Sequence, residues 1–447
     1  MSIKHISVVL VLPLTVFGEF SAHAEEHGFI EDSKATLRLR NFYINQDSRD
    51  NITAKNNNYQ AEWGQGFVLD FTSGYTQGEV GFGIDAIGML GVKLDSSAKK
   101  HGNPTGASYG GIVFPSDGNH AVYEYSSLGL TAKAKISQTE LKLGTLIPKN
   151  PVIVSNDGRL LPQTWQGGQI TSSDIKDFTL IAGRIEQVKG RNSSNNENLS
   201  ISGANNPIIG KFSNKFVYAG ADYKATKDLT LQYYYGGLED FYRQNFLGLV
   251  HNWAIGPGVL KTDLRYFNSK ADGANASDPR YYTTGFYGGK VTKGKVDNNL
   301  YSGLFLYNVA GHTFGAGYQV SNGDSDFPWL NQGDGSSNGT ITDMQIQKFG
   351  RAGEKTWQAR YSYDFAQVGL PGATAGLVYS KSDGINTPTT SNAGEWERDL
   401  TLAYVVQDGA LKGLGLTWKN SMWRNNIPGQ NQQDENRIIL SYSLPLW

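Results

Sequence analysis

Residues 436–447 constrain this chain more than any other stretch. They end in Ser441-Tyr442-Ser443-Leu444-Pro445-Leu446-Trp447, and side-chain character alternates along them. Ile438, Leu440, Tyr442, Leu444 and Leu446 share one parity, while Arg437, Ile439, Ser441 and Ser443 share the other. Period-2 alternation places the two sets on opposite faces of a sheet. A strand finishing on an aromatic residue, Trp447, has two readings. It is the closing strand of a membrane barrel, where such a segment is what the barrel assembly machinery reads, or the last strand of a soluble sheet.

The other end of the chain favours the first reading. Lys4 and His5 precede an apolar run over 6–17, and Ala22-His23-Ala24 has the small residues of a cleavage site. This pattern predicts a secretory leader over 1–24, too short to span a bilayer, with a mature chain starting at Glu25. Pro13 and Glu19 argue against a retained membrane helix.

After the leader, no stretch of about 18 apolar residues follows, which excludes a helical membrane protein. The chain has no cysteine, so disulfides do not hold it together. Hydrophobic residues make up only 39%, yet 12% are aromatic, with 24 Tyr and 54 Gly. Low hydrophobicity suggests disorder, whereas the aromatic content opposes it. A barrel with lipid outside and water inside reconciles the two, because only alternate residues need be apolar. The net charge of −1, without a polybasic tail, gives no sign of a nucleic-acid partner.

Alternating segments recur from 35–45 to 436–447, including a short one near 169–174 after a long loop, and sum to about eighteen strands. Short connections such as Ser137-Gln138, Lys227-Asp228, Ala310-Gly311-His312 and Asp408-Gly409 alternate with long polar ones such as 193–206, 323–343 and 381–394. Short turns on one side and long loops on the other are the habit of a transmembrane antiparallel β-barrel. No repeat period of a propeller or solenoid is present. The expected organisation is all-β, with one barrel domain over 25–447.

The expected outer face carries Leu229, Leu231, Tyr233 and Tyr235 on one strand and Leu400, Leu402, Tyr404 and Val406 on another. The opposite parity directs Arg38, Arg40, Arg360, Lys419 and Arg437 inward. Two readings of these cations stand: an electropositive track for anionic solutes, or scattered charges offsetting carboxylates such as Asp364. Arg398 has the outward parity of Leu400, so only a rim position or a local bulge would bring it into the pore.

Several segments together resemble the OprD family of substrate-specific outer-membrane channels. They include Gly28-Phe29-Ile30-Glu31-Asp32-Ser33, Leu39-Arg40-Asn41-Phe42-Tyr43, Trp63-Gly64-Gln65-Gly66-Phe67, Asp157-Gly158-Arg159-Leu160-Leu161-Pro162, Arg360-Tyr361-Ser362-Tyr363-Asp364 and Glu397-Arg398-Asp399. The resemblance implies an eighteen-stranded barrel whose third loop, here 148–169, folds inward and narrows the pore. It places Asp157 and Arg159 on that loop, and Arg40, Arg360, Arg398 and Arg437 on a basic ladder. Lys419 stands where a ladder arginine is usual, and Thr417 where a second would be. A lysine offers a point charge without a bidentate fork, so carboxylate grip there is expected to be looser.

No metal-ligand spacing occurs among the seven histidines. A barrel hydrolase would need a nucleophile and base near the rim, for which His101 and His251 are the candidates. Too few residues separate Glu25 from the first strand for the plug of an active transporter. The expected protein is therefore a passive porin, not an enzyme, in a Gram-negative outer membrane. It would admit small carboxylate solutes (aromatic or other organic acids, or amino acids) without a cofactor. The alternatives are the barrel hydrolase and a general, non-selective porin. Its partners would be those solutes, outer-membrane lipid and lipopolysaccharide, and the assembly machinery, with the chain a monomer or a loosely associated trimer.

Overall fold

The computed structural model describes residues 28–49, 59–97, 100–101, 111–201, 211–278, 281, 295–330 and 339–447. The predicted leader and Glu25 lie outside them. Eighteen antiparallel strands, each paired with the next, form the wall. They are β1 (Lys34–Ser48), β2 (Tyr59–Thr72), β3 (Gly81–Asp95), β4 (Glu124–Ile136), β5 (Thr139–Leu146), β6 (Thr164–Ser172), β7 (Phe178–Lys189), β8 (Phe216–Lys224) and β9 (Leu229–Leu238). Then follow β10 (Tyr242–Ile255), β11 (Gly258–Ala271), β12 (Asp297–Val309), β13 (His312–Gly323), β14 (Lys355–Asp364), β15 (Ala373–Ile385), β16 (Ala393–Val405), β17 (Gly415–Asn425) and β18 (Gln433–Pro445). β18 pairs with β1 from Thr36↔Pro445 to Ser48↔Gln433, which closes the barrel and removes its edges.

The two-sided pattern explains why these residues make a wall. Leu128, Tyr233, Leu247, Leu264, Leu402 and Ile438 are exposed on the outer face, Leu128 by 71%. Leaving each such side chain in water would cost about 1.5–3 kcal/mol, so this face requires hydrocarbon. The tight turns suit the twist of the strands. At Ala310-Gly311 both residues have positive φ, 49° and 81°, the geometry of a two-residue hairpin turn. In the connection after β6, Asp174 accepts from the hydroxyls of Ser137 (2.6 Å) and Thr139 (2.5 Å) and the amide of Gln138 (2.9 Å) at the β4–β5 turn. These donors hold its carboxyl down at about 2.

Strand bounds differ from expectation where the alternation is interrupted. β6 begins at Thr164, not near 169, because a bulge at Gln166/Gly167 and the pair Gly167-Gly168 hide its first half. Residues 120–136 do not form one strand: His120–Ala121 pairs with Ser116–Asp117 in a separate hairpin, and β4 starts at Glu124. The turn-end connection 406–414 is longer than the two-residue turn expected at Asp408-Gly409.

Not all inward positions are polar. Phe42 and Ile44 share the inward parity of Arg40, and they are buried with Val68 and Met89 beneath Ile112, Val113, Phe114, Leu160 and Leu161. Gly64 and Gly66 make room for that cover. A Cβ on Gly64 would meet the Phe114 ring at 2.5 Å, and one on Gly66 would meet the Leu160 carbonyl oxygen at 3.0 Å. Around the barrel, Tyr234, Phe246, Phe267 and Leu300 of the inner wall pack with Val152, Leu199, Phe327 and Trp329 of the loops. Long loops therefore bend into the barrel and carry apolar cores with them.

The chain terminus completes the seam. Pro445 has no amide to give, but Leu446 donates to the Ala35 carbonyl (2.8 Å) and the Trp447 carbonyl accepts from Ala35 (3.2 Å). The Trp447 side chain is 68% exposed at the turn end, the level of an interfacial aromatic belt. Deleting Trp447 is expected to lower the yield of folded, heat-modifiable barrel, read by gel mobility with and without boiling. An unchanged folded fraction would make Trp447 an ordinary strand end.

Candidate permeation path

On β16, Glu395, Glu397 and Asp399 occupy alternate positions and all face inward. Free carboxylates so close would repel, but the loop segment 339–354 folds over them. Its backbone amides donate: Gln345 to Asp399 Oδ2 (2.9 Å), and Ile346 and Gln347 to Glu397 Oε1 and Oε2 (2.8 and 2.7 Å). Hydrogen bonds from backbone N–H to an ionised acceptor are among the stronger ones. Nearer the loop's base, Arg351 donates to Glu395 Oε2 (2.9 Å), which also accepts from the Trp423 indole (2.6 Å).

A second loop, 147–163, enters from the wall formed by β5 and β6. Its tip is a local turn in which Gly158 donates to Asn156 Oδ1 (2.9 Å). Arg40, on β1, grips this tip. One guanidinium nitrogen donates to Asp157 Oδ1 (2.7 Å) and to the Arg159 carbonyl (2.6 Å), and the other donates to Asp157 Oδ2 (3.0 Å). Since β2, β3 and β4 stand between β1 and β5, the loop has turned in to meet another part of the wall.

Arg437 joins the two loops. Its Nε donates to Glu435 Oε1 (2.6 Å), Nη1 to the Gly158 carbonyl (3.3 Å) and Nη2 to the Gln345 carbonyl (3.0 Å). A planar guanidinium with five donors can serve three such acceptors, and a lysine ammonium lacks that fixed fork. Lys419 lies directly opposite Arg437 in the β17–β18 register. It is half-buried, faces inward, and makes no hydrogen bond or ion pair with another described residue.

Of the residues expected to form the site, Arg40, Asp157, Arg159, Lys419 and Arg437 are thus gathered around the two loop tips. Arg360 also faces inward, donating to Gln358 Oε1 (2.5 Å) and to the Ile341 carbonyl at the edge of the long loop. Arg398 does not face the pore. It pairs with Tyr379 and Met422, and the register from Ser382↔Glu395 to Ala373↔Tyr404 runs without a bulge, so it keeps the outward parity of Leu400. Glu397, Asp399, Glu435 and Gln345 were not singled out in the sequence. The alternation of Glu395, Glu397 and Asp399 was the available signal.

The inward charges serve several ends. Arg38 pairs with Asp70 (2.5 Å) and Arg265 with Asp263 (2.6 Å), which is charge balance within the wall. His101 hydrogen-bonds Glu62 (2.5 Å) and Ser116 Oγ (2.7 Å), in the order of a nucleophile–base–acid relay. However, the ring is 2% exposed, and Glu62 also accepts from the amides of Val113 (2.5 Å) and Phe114 (3.3 Å). The set pins the loop that covers Phe42. His251 packs edge-on against Trp253, 4.2 Å between centroids, in the outward parity near the turn end, far from the rim.

At the base of the long loop, just before β14, Glu354 is fully buried and one of its oxygens lacks a hydrogen-bond partner. Burial, with the Glu395 carboxylate beside it, pushes its carboxyl well above the usual range, and Arg351 only partly opposes this. With a raised value, its support of the folded loop is full below the ordinary glutamate range and is lost as pH rises through the raised value. Single-channel noise is therefore expected to grow as the bath is made alkaline, and Glu354→Gln is expected to flatten that dependence. Equal pH dependence in both proteins would contradict it.

The comparisons agree with this architecture. Residues 27–446 match the family model described as outer membrane porin, OprD family. The Porin-like protein GalP of Pseudomonas putida is 34% identical over 98% of both chains. The crystal structure of Pseudomonas aeruginosa OccK8 (OprE) is 57% identical, covers 94% of this chain and 100% of its own, and superposes with a TM-score of 0.85. That of Pseudomonas aeruginosa OpdK with vanillate is 35% identical over 94% and 100%, with a TM-score of 0.82. These relatives are channels rather than enzymes, and they place the barrel in a Gram-negative outer membrane. The chain belongs to the OprD family of outer-membrane porins.

Proposed function

We propose that this porin is a passive, selective channel for small carboxylates, exported through a leader cleaved before Glu25 and inserted by the barrel assembly machinery. The loop carrying Asp157 and Arg159 is its constriction, together with the tip at Gln345–Gln347. Arg40, Arg360, Lys419 and Arg437 are the ladder, and Arg398 is not part of it. The observation that carries this reading is Lys419. It is an inward cation without a hydrogen-bond or ion-pair partner among the described residues, set against Arg437 where the two loops meet.

A carboxylate reaching this point exchanges water for an ammonium and the edge of a guanidinium. In a wet pore such a contact is worth about 1.5–3 kcal/mol, enough to select without trapping the solute. The neighbouring strand β16 supplies carboxylates, Glu397 and Asp399, that loop amides already hold, so the anion is not repelled by bare charge. Vanillate, the molecule in the OpdK structure, is an aromatic carboxylate, which favours aromatic acids within the class. Diffusion down the gradient needs no cofactor.

The test is reversal potential under a salt gradient, alongside uptake of radiolabelled benzoate and glucose into proteoliposomes. Lys419→Ala is expected to lower anion preference and cut benzoate uptake about five- to tenfold, with glucose much less affected. Raised salt should reproduce part of the loss, since luminal charge is screened over about 8–10 Å. A Lys419→Ala/Arg437→Ala channel that keeps both its selectivity and its benzoate uptake would overturn the reading.

A further inference from the structure

Arg398 faces lipid, as does Lys381, and permeation uses neither. On the outer wall, Trp357, Lys381, Trp396 and Arg424 form one cross-strand row on β14–β17. Tyr379, Arg398 and Met422 form the next row towards the turn end. Trp396 is therefore bracketed by Lys381 on one neighbour, Arg424 on the other, and Arg398 two residues along its own strand. Directly opposed side chains in a sheet sit about 4.5–5.5 Å apart and diagonal ones about 7–8 Å. Three such long side chains can meet on one anion.

The aromatic rings set the level of this patch. Trp357 and Tyr379 lie 5.3 Å apart and Tyr379 and Trp396 5.8 Å apart, the latter pair stacked at 29°. A row of this kind near the loop end belongs at the interface of the outer leaflet. Arg424 lies over Trp396 (6.0 Å) and is neutralised by Asp434 (2.6 Å). Lys381 and Arg398 make no hydrogen bond or ion pair with a described residue. Among the other outward cations near the loop end, Lys215, Lys270 and Arg184 are paired, with Glu239 (2.8 Å), Asp297 (2.5 Å) and Glu186 (3.1 Å), while Arg243 and Lys355, like Lys381 and Arg398, have no described partner. Asp383, opposite Lys355 in register, is the nearby carboxylate beyond this patch.

An unpaired guanidinium one row below Trp357 and Trp396, level with Tyr379, must reach up to the headgroups and find an anion there. The geometry points to a binding site for the phosphorylated sugar headgroup of an outer-leaflet glycolipid. Lys381 and Arg398 hold the phosphate, and Arg424 borders it. Trp357, Tyr379 and Trp396 present flat faces to the sugar and the upper acyl chains. Arg is suited to this role, since its fork takes two phosphate oxygens at once.

Native mass spectrometry of the delipidated, refolded barrel tests the site with three probes: lipid A, enzymatically dephosphorylated lipid A, and inorganic phosphate. The wild type should keep one phosphorylated lipid, and Lys381→Gln/Arg398→Gln should weaken that binding about tenfold or more. The stripped lipid should bind both proteins alike and weakly, and inorganic phosphate should not displace the lipid at equal concentration. Heat-modifiability and conductance should be unchanged, because neither residue faces the pore. Equal retention of lipid A by the double variant would overturn the site. Displacement by free phosphate at equal concentration would overturn the headgroup assignment. If the double variant fails to fold, the wild-type comparison decides: tight binding of the stripped lipid would refute a phosphate site.

Discussion

A loop that enters a barrel brings backbone N–H and C=O groups into a confined space, where each needs a partner. This constraint organises the lumen. The carbonyls of Gly158, Arg159, Ile341 and Gln345 accept from the guanidinium groups of Arg40, Arg360 and Arg437. The amides of Gln345, Ile346 and Gln347 donate to Asp399 and Glu397. Charged wall residues are the counterparts of loop backbone, and the apolar clusters around Phe42 and Phe246 seal the loops in place.

The two readings of the inward cations are then complementary rather than opposed. Arg38 and Arg265 balance carboxylates on the wall itself. Arg40, Arg360 and Arg437 hold loops, each with donor capacity turned partly into structure. Lys419 alone among the predicted ladder residues that face inward has no described partner. A point charge is sufficient there because no loop needs to be forked. In the proposed mechanism the arginines shape the aperture and the lysine reads the solute.

Much of the wall was legible because one face must be apolar and strand geometry makes the face a matter of parity. Leu231, Tyr233, Leu402 and Tyr404 face outward as expected, and Arg40, Arg360, Lys419 and Arg437 face inward. Glycine and a bulge erased the signal at the start of β6. Parity also said that Arg398 points outward, against the ladder role that the family resemblance suggested, and the unbroken register agrees with parity. What alternation does not contain is what covers an inward side chain. Phe42 and Ile44 are apolar among polar luminal residues, and the cover of Phe114 and Leu160 explains them. Contacts such as Arg40 with Asp157, which lie 117 residues apart, leave no periodic trace.

The fork of Arg437, and not only its charge, ties the two loops to the wall. Single-channel conductance of Arg437→Lys tests it most directly, because the charge stays while the planar donors are lost. Arg437→Lys is expected to give a larger and noisier conductance with anion preference largely retained. A conductance and noise level equal to the wild type would contradict it.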